Sequence, residues 1–185
     1  MVEEAHKGSG VPVDDATVAA ILRDLRDPIR YADTIIVTCV AAADYAAGDV
    51  LSNSATDNIG KPLYVSNLAR TPGGVASIMS VLAKCSEDAV LASLRLHFFR
   101  SYPLPADVEM DDNIAFDIKT ATGRENHAGS ILLSALADRG TAESESNTED
   151  IRWARRCAPG DAGLWLVVTA EVAEANESAS MEIEL

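Results

Sequence analysis

The chain is 185 residues long and carries 29 acidic against 15 basic residues, a formal charge of −14. A surface of that sign repels phosphate backbones and disfavours direct nucleic-acid binding, while the length suits one domain with a real core. The opening MVEEAHKGSG has no apolar signal core and no apolar run reaches membrane length, so a chain made and kept in the cytoplasm until it joins something is expected. Lysine occurs only at Lys7, Lys61, Lys84 and Lys119, which fits either a high-salt setting or a genome biased toward arginine and alanine codons.

Residues 1 to about 13 are polar and small, and Gly8 to Gly10 reads as a flexible arm because no strand precedes it as a phosphate loop requires. An N-cap at Asp14 or Asp15 precedes Val18, Ile21, Leu22 and Leu25 on one helical face before Pro28 ends the run, which predicts one short helix. TIIVTCVAA follows, with Ile35, Val37 and Cys39 on one side and Ile36, Thr38 and Val40 on the other, a β-branched strand buried on both faces.

Tyr45 to Val50 turns at Gly48 and Asp49 into a short strand, and Ser52 to Gly60 is a polar loop. Gly60 and Lys61 do not make a nucleotide site, since Pro62 follows and the rest of the phosphate-loop pattern is missing. PLYVSNLAR alternates Leu63, Val65 and Asn67 against Tyr64, Ser66 and Leu68, and Thr71 to Gly74 forms a turn. Val75 to Lys84 is then expected as one long central strand.

LASLRLHFFRS has the cleanest period of two, placing Leu94, Leu96 and Phe98 inward and Arg95, His97 and Phe99 outward. His97 is expected as a half-exposed strand residue, not a ligand. Tyr102 to Pro105 ends the strand. The loop bearing Asp107, Glu109, Asp111 and Asp112 lacks the spacing of a calcium loop and reads as a solvated turn.

Ser130 to Ala137 suits a strand, with a helix left open by its Ala and Leu content. Asp138 to Asp150 is expected as a polar loop. IRWARRC alternates Ile151, Trp153 and Arg155 against Arg152, Ala154 and Arg156. A turn at Pro159 to Asp161 leads into GLWLVVTAEVA, the best buried strand, and Glu174 to Glu177 links it to a C-terminal strand bearing Met181, Ile183 and Leu185. Eight or nine strands with turns between them favour an antiparallel sandwich or jelly roll over a βαβ plan.

No chemistry-bearing pattern emerges. Cys39, Cys85 and Cys157 form an odd set without C-x-x-C spacing and read as buried free thiols in a reducing compartment. His6, His97 and His127 fall on an arm, a strand and a loop, without the spacing of a metal pair. There is no nucleophile elbow, and the sequon at Asn176 is accidental without a secretion signal. Trp153, Trp165, Phe98, Phe99 and Tyr102 are expected mainly in the core, although aromatics on a sandwich can also stack on sugars. Arg152, Arg155 and Arg156 stand out on the acidic background and can pair with a neighbouring subunit's acidic face or with this chain's own carboxylates.

The ordered series resembles a group of small structural proteins of tailed-phage or archaeal tailed-virus particles. It runs from YAAGDV at Tyr45 through N-x-A-R at Asn67 to Arg70, the turn at Pro72 to Gly74, LRLHFF at Leu94 to Phe99 and DNIAF at Asp112 to Phe116. The likeness covers about residues 32 to 118 by motif and 128 to 185 by pattern only. It implies a β-sandwich that decorates and cements a capsid, often as a trimer, over junctions between major capsid protein subunits. The segment from Asp14 to Asp27 and a loop expected at Thr120 to Asn126 have no counterpart in the group, which leaves the attachment site open.

The expectation is therefore a mainly β, antiparallel sandwich or jelly-roll-like fold, with residues 1 to 30 forming an arm and short helix and residues 31 to 185 the sandwich. The expected role is that of a non-enzymatic virion component on the capsid exterior. Its partners are the major capsid protein and itself, as a homotrimer, with no nucleic acid or membrane, no cofactor, no metal and no catalytic residues. The runner-up is a receptor- or glycan-binding module of a head or tail fibre, and an enzyme of unknown type comes third.

Overall fold

The structure, a computed structural model, describes residues 34–38, 45–51, 60–85, 93–140, 143–171 and 180–184, all within the unit that runs from Tyr31 to Leu185. The arm, the helix expected from Asp14, Cys39 and the link at Glu174 to Glu177 lie outside the described residues. What is described is mainly β, and every strand pair is antiparallel.

One sheet takes its strands in the order β1 (Thr34–Thr38), β14 (Ser180–Glu184), β5 (Val81–Cys85), β11 (Glu143–Thr148) and β10 (Ala137–Gly140). The second has β2 (Val50–Leu51), β13 (Leu164–Ala170), β6 (Leu94–Phe99) and β9 (His127–Leu132), with β3 (Leu63–Val65) also paired to β13. Two ribbons complete the set: β4 (Val75–Ile78) with β12 (Trp153–Arg156), and β7 (Val108–Glu109) with β8 (Asp117–Ile118).

The alternating residues explain the core. Leu94, Leu96 and Phe98 of β6 and Leu164, Leu166 and Val168 of β13 point to one side. There they join Val81, Ala83 and Cys85 of β5, Ala76 and Ile78 of β4 and Trp153 of β12 in one buried cluster. Both five-stranded sheets thus supply the same core, and Phe98 packs on Trp153 with ring centroids 4.8 Å apart.

β2 and β3 lie end to end along one edge of β13. Leu51 pairs with Val168 and Leu63 with Leu166. The chain therefore leaves a single strand line at Leu51 and rejoins it at Leu63, with only Val167 between the two pairings.

Four expectations are corrected. Val75 to Lys84 is not one strand: pairing stops at Met79 and Ser80, opposite Glu149 to Arg152, so β4 pairs with β12 while β5 joins β11 and β14. Asp150 takes a left-handed φ of 57° at this joint, a conformation Asp tolerates better than most residues. The polar stretch Asp138 to Asp150 contains most of β10 and all of β11. Ser144 and Ser146 of β11 are buried, and the Ser146 hydroxyl donates to the Ser134 carbonyl at 2.8 Å; serine is small enough to fill a core position once bonded. The loop expected at Thr120 to Asn126 contains a helix, α1 (Ala121–Asn126), capped where the Thr120 hydroxyl accepts the Gly123 N–H at 3.1 Å, the usual satisfaction of an orphan donor. Fourteen strand segments among the described residues exceed the eight or nine expected, because the strand expected from Val75 divides into β4 and β5 and stretches expected as loops hold β7, β8, β10 and β11. The ambiguous stretch from Ser130 opens as strand, the end of β9.

Candidate functional site

The reverse face of β6 and β13 is not solvent. Between β6 and β9 the chain makes an excursion through β7, β8 and α1. This lays Val108, Met110 and Phe116 over Phe99, Val167, Val50 and Trp165 as a second apolar cluster. His97, expected half-exposed, is buried at 9% exposure, and Phe99, expected outward, is at 0%. Alternation places these side chains correctly but does not show what covers the far face.

His97 stacks on Phe116 with centroids 4.0 Å apart and lies 5.8 Å from the His127 ring. Its Nε2 is 3.2 Å from the Thr169 hydroxyl, while His97 Nδ1 and His127 Nε2 have no hydrogen-bond partner among the described residues. Burial disfavours the charged imidazolium, and the nearby His127 and Arg95 add to this, so the His97 pKa falls to about 4 although Glu171 opposes the shift. His127 is lowered by burial and then by Arg100. At the strand ends Arg95 makes a bidentate pair with Glu171, at 2.6 and 3.0 Å, which raises the arginine and lowers the carboxyl.

The acidic loop is corrected from a solvated turn to a set of separate anchors. Asp107 accepts from the Thr120 hydroxyl at 2.6 Å, Glu109 meets Lys119 at 2.7 Å, Asp111 accepts the Gly60 N–H at 2.9 Å, and buried Asp112 accepts from the Tyr45 hydroxyl at 3.1 Å. Each carboxylate is directed to a different partner. Among the described residues no group of three His, Cys, Asp or Glu side chains is placed to hold a metal ion, and Cys85 and Cys157 are buried.

Two exposed features remain. The first is the outer face of the β4–β12 ribbon. Ala76 and Ile78 face the core, so Val75, Ser77 and Met79 face out, with Val75 at 57% and Met79 at 63% exposure. Across the ribbon Arg156 sits opposite Val75 and Ala154 opposite Ser77, with exposed Arg152 beyond. Arg155 differs: its Nε donates to the Ala128 carbonyl at 2.7 Å and its guanidinium lies 5.5 Å from the centre of the Trp153 ring. A bulge between Phe98 and Phe99 in the β6–β9 pairing leaves Ala128 without an opposite residue, and Gly129 follows at φ +129°, a region glycine alone enters freely.

The second feature is a row of rings leading to a groove. Tyr64 of β3 and Tyr102, just after β6, each lie 4.9 Å from Trp165 of β13, and both tyrosines are exposed. The Tyr64 hydroxyl donates to Asp161, which holds the phenol proton and pushes its pKa up to about 12. Gly163 is required beneath: a Cβ there would stand 2.6 Å from the Tyr64 hydroxyl. Beyond Tyr102 opens a groove of about 360 Å³ lined by Arg100, Leu104, Asp107, Glu125 and Pro159, among others. Trp165 and Tyr102 were expected mainly as core; Tyr64, Asp161 and the groove carry no sequence signal, because their meeting depends on the β3–β13 register. No protein-family model matches the chain, and no curated protein does.

Proposed function

We propose that this chain is a non-enzymatic virion structural protein that decorates and cements the capsid of a tailed virus. In this reading its two five-stranded sheets stack as a jelly-roll-like sandwich. It binds on the capsid exterior between major capsid protein subunits and associates with itself as a homotrimer, without contacting nucleic acid or membrane. The observation that carries the reading is the β4–β12 ribbon, where Val75 and Met79 stand more than half exposed beside Arg152 and Arg156 on a chain of net charge −14.

Such a face is adhesive in two ways. Its centre is apolar and gains from burial, by about 25 cal/mol per Å². Its rim is positive on an acidic protein, so it is complementary to the acidic surface of a neighbouring copy or of a shell with the same charge balance. One face meeting a different face of the next copy closes into a ring when the rotation allows, which is how a homotrimer forms. Binding the assembled shell better than its separate subunits then stabilises the shell by mass action. The motif resemblance from Tyr45 to Phe116 supports the same role.

The test is co-sedimentation of the purified chain with capsids stripped of it. The wild-type chain is expected to saturate at a fixed ratio and to raise the temperature at which shells open. Met79→Glu with Arg156→Glu is expected to weaken binding by at least about tenfold, or 1.4 kcal/mol. Shells that take up no wild-type chain, or bind the double variant equally, overturn the proposal.

A further inference from the structure

The geometry points to a binding site for a neutral saccharide in the groove between the segment after β6, α1 and the β12–β13 turn, with the Tyr64–Trp165–Tyr102 row at its side. A sugar ring has an apolar face of C–H bonds and a rim of hydroxyls. It is held by aromatic rings against the face and by planar charged side chains that each engage neighbouring hydroxyls. Both kinds of group converge here. Tyr102 stands at 44% exposure between Trp165 and the groove, Leu104 and Pro159 add apolar lining, and Arg100, Asp107 and Glu125 add planar polar groups.

The walls are preformed. Arg100 Nη1 donates to the Glu125 carbonyl at 2.8 Å. The Arg100 N–H donates to the Asn126 carbonyl at 3.0 Å. The Ser101 N–H donates to Asn126 Oδ1 at 2.7 Å, and Asn126 Nδ2 returns a bond to the Ser101 carbonyl at 2.9 Å. These four bonds fix the Arg100 strand end against α1, so little ordering remains to oppose binding. Within that frame the Glu125 carboxylate and the Tyr102 and Thr122 hydroxyls make no hydrogen bond among the described residues, leaving both donors and an acceptor for a ligand.

Charge decides the class of sugar. Two carboxylates against one guanidinium line the groove, on a chain of net charge −14, so sulfated or carboxylated saccharides are repelled. A volume of about 360 Å³ lies at the small end of ligand sites and fits a mono- or disaccharide unit of a longer chain. The site is separate from the β4–β12 ribbon, so shell binding and sugar binding can fail independently.

The experiment titrates the full-length chain with maltotriose, cellotriose and triacetylchitotriose, with heparin as the acidic comparison, and follows tryptophan emission. Trp165 touches Tyr102 whereas Trp153 is buried in the core, so occupancy reads out through Trp165. At least one neutral probe is expected to saturate with a Kd on the order of 1 mM. Glu125→Ala, an exposed substitution, is expected to weaken that binding at least about threefold, and Tyr102→Ala about tenfold. The melting temperature of Glu125→Ala should stay at the wild-type value. No saturable response to any neutral probe, tighter binding of heparin, or unchanged affinity in both variants overturns the assignment.

Discussion

Lowering the pH from 7.5 to 5 is expected to destabilise the protein steeply, before most of its carboxylates titrate. His97 is neutral in the folded state, with its pKa held at about 4, whereas an unfolded histidine titrates near 6.5. Above pH 6.5 both states are neutral and His97 contributes no pH dependence. As the pH falls through 6.5 the unfolded chain binds a proton that the folded chain refuses, so stability drops by about 1.4 kcal/mol per pH unit until roughly pH 4. The full loss from His97 is on the order of 3 kcal/mol, and His127, shifted the same way by burial, adds to it.

The groups facing His97 are Thr169 of β13, Phe116 of the excursion, His127 of β9, Arg95 of its own strand and Glu171 beyond β13. Glu171 and Glu109, whose carboxyls are held low by Arg95 and Lys119, lose their contributions only as the pH falls further. The interval from 6.5 to 5 therefore isolates the histidines. Thermal melts across it should show a fall on the order of 5 °C for the wild-type chain, at about 2–4 °C per kcal/mol. The slope should be flattened in His97→Gln. A flat wild-type profile, or an unchanged slope in the variant, would contradict the neutral buried pair.

Phe98→Ala is expected to cost about 3–5 kcal/mol. Phe98 is fully buried, pairs across the ladder with Leu166 and Gly129, and packs on Trp153. Its removal deletes apolar area, opens a cavity between both sheets and loses an aromatic pair worth a further ~1 kcal/mol. Chemical denaturation should register the loss as a lower midpoint with unchanged slope, and Trp153 emission should shift to the red. Leu132→Ala, at a half-exposed end of β9, should stay within about 0.5 kcal/mol of wild type. Equal effects at the two positions would contradict the assignment of the core.

The strands at Leu94 to Phe99 and Leu164 to Ala170 were legible in the sequence because period-two alternation is a local signal. The inward set Leu94, Leu96 and Phe98 lies in the core as expected. What covers the reverse face was not legible, since His97 and Phe99 meet Phe116 only when the segment between β7 and β8 folds back over them. β11 was missed because ESESNT has no apolar period; its burial depends on pairing with β5, a long-range event. The same holds for the groove, whose residues come from three separated segments. The basic ribbon was half legible: Arg152 and Arg156 stood out in composition, but their apolar neighbours Val75 and Met79 join them only through the β4–β12 register.

The interrupted edge of β13 has an engineering corollary. Because the strand line broken at Leu51 resumes at Leu63, and Gly60 is already tied back by its N–H to Asp111, the sequence between Leu51 and Gly60 amounts to an insertion into an otherwise continuous pairing. Lengthening such an excursion costs only about 0.6 kcal/mol per doubling. Foreign epitopes spliced there should leave the ladder intact, turning the protein into a carrier for peptide display.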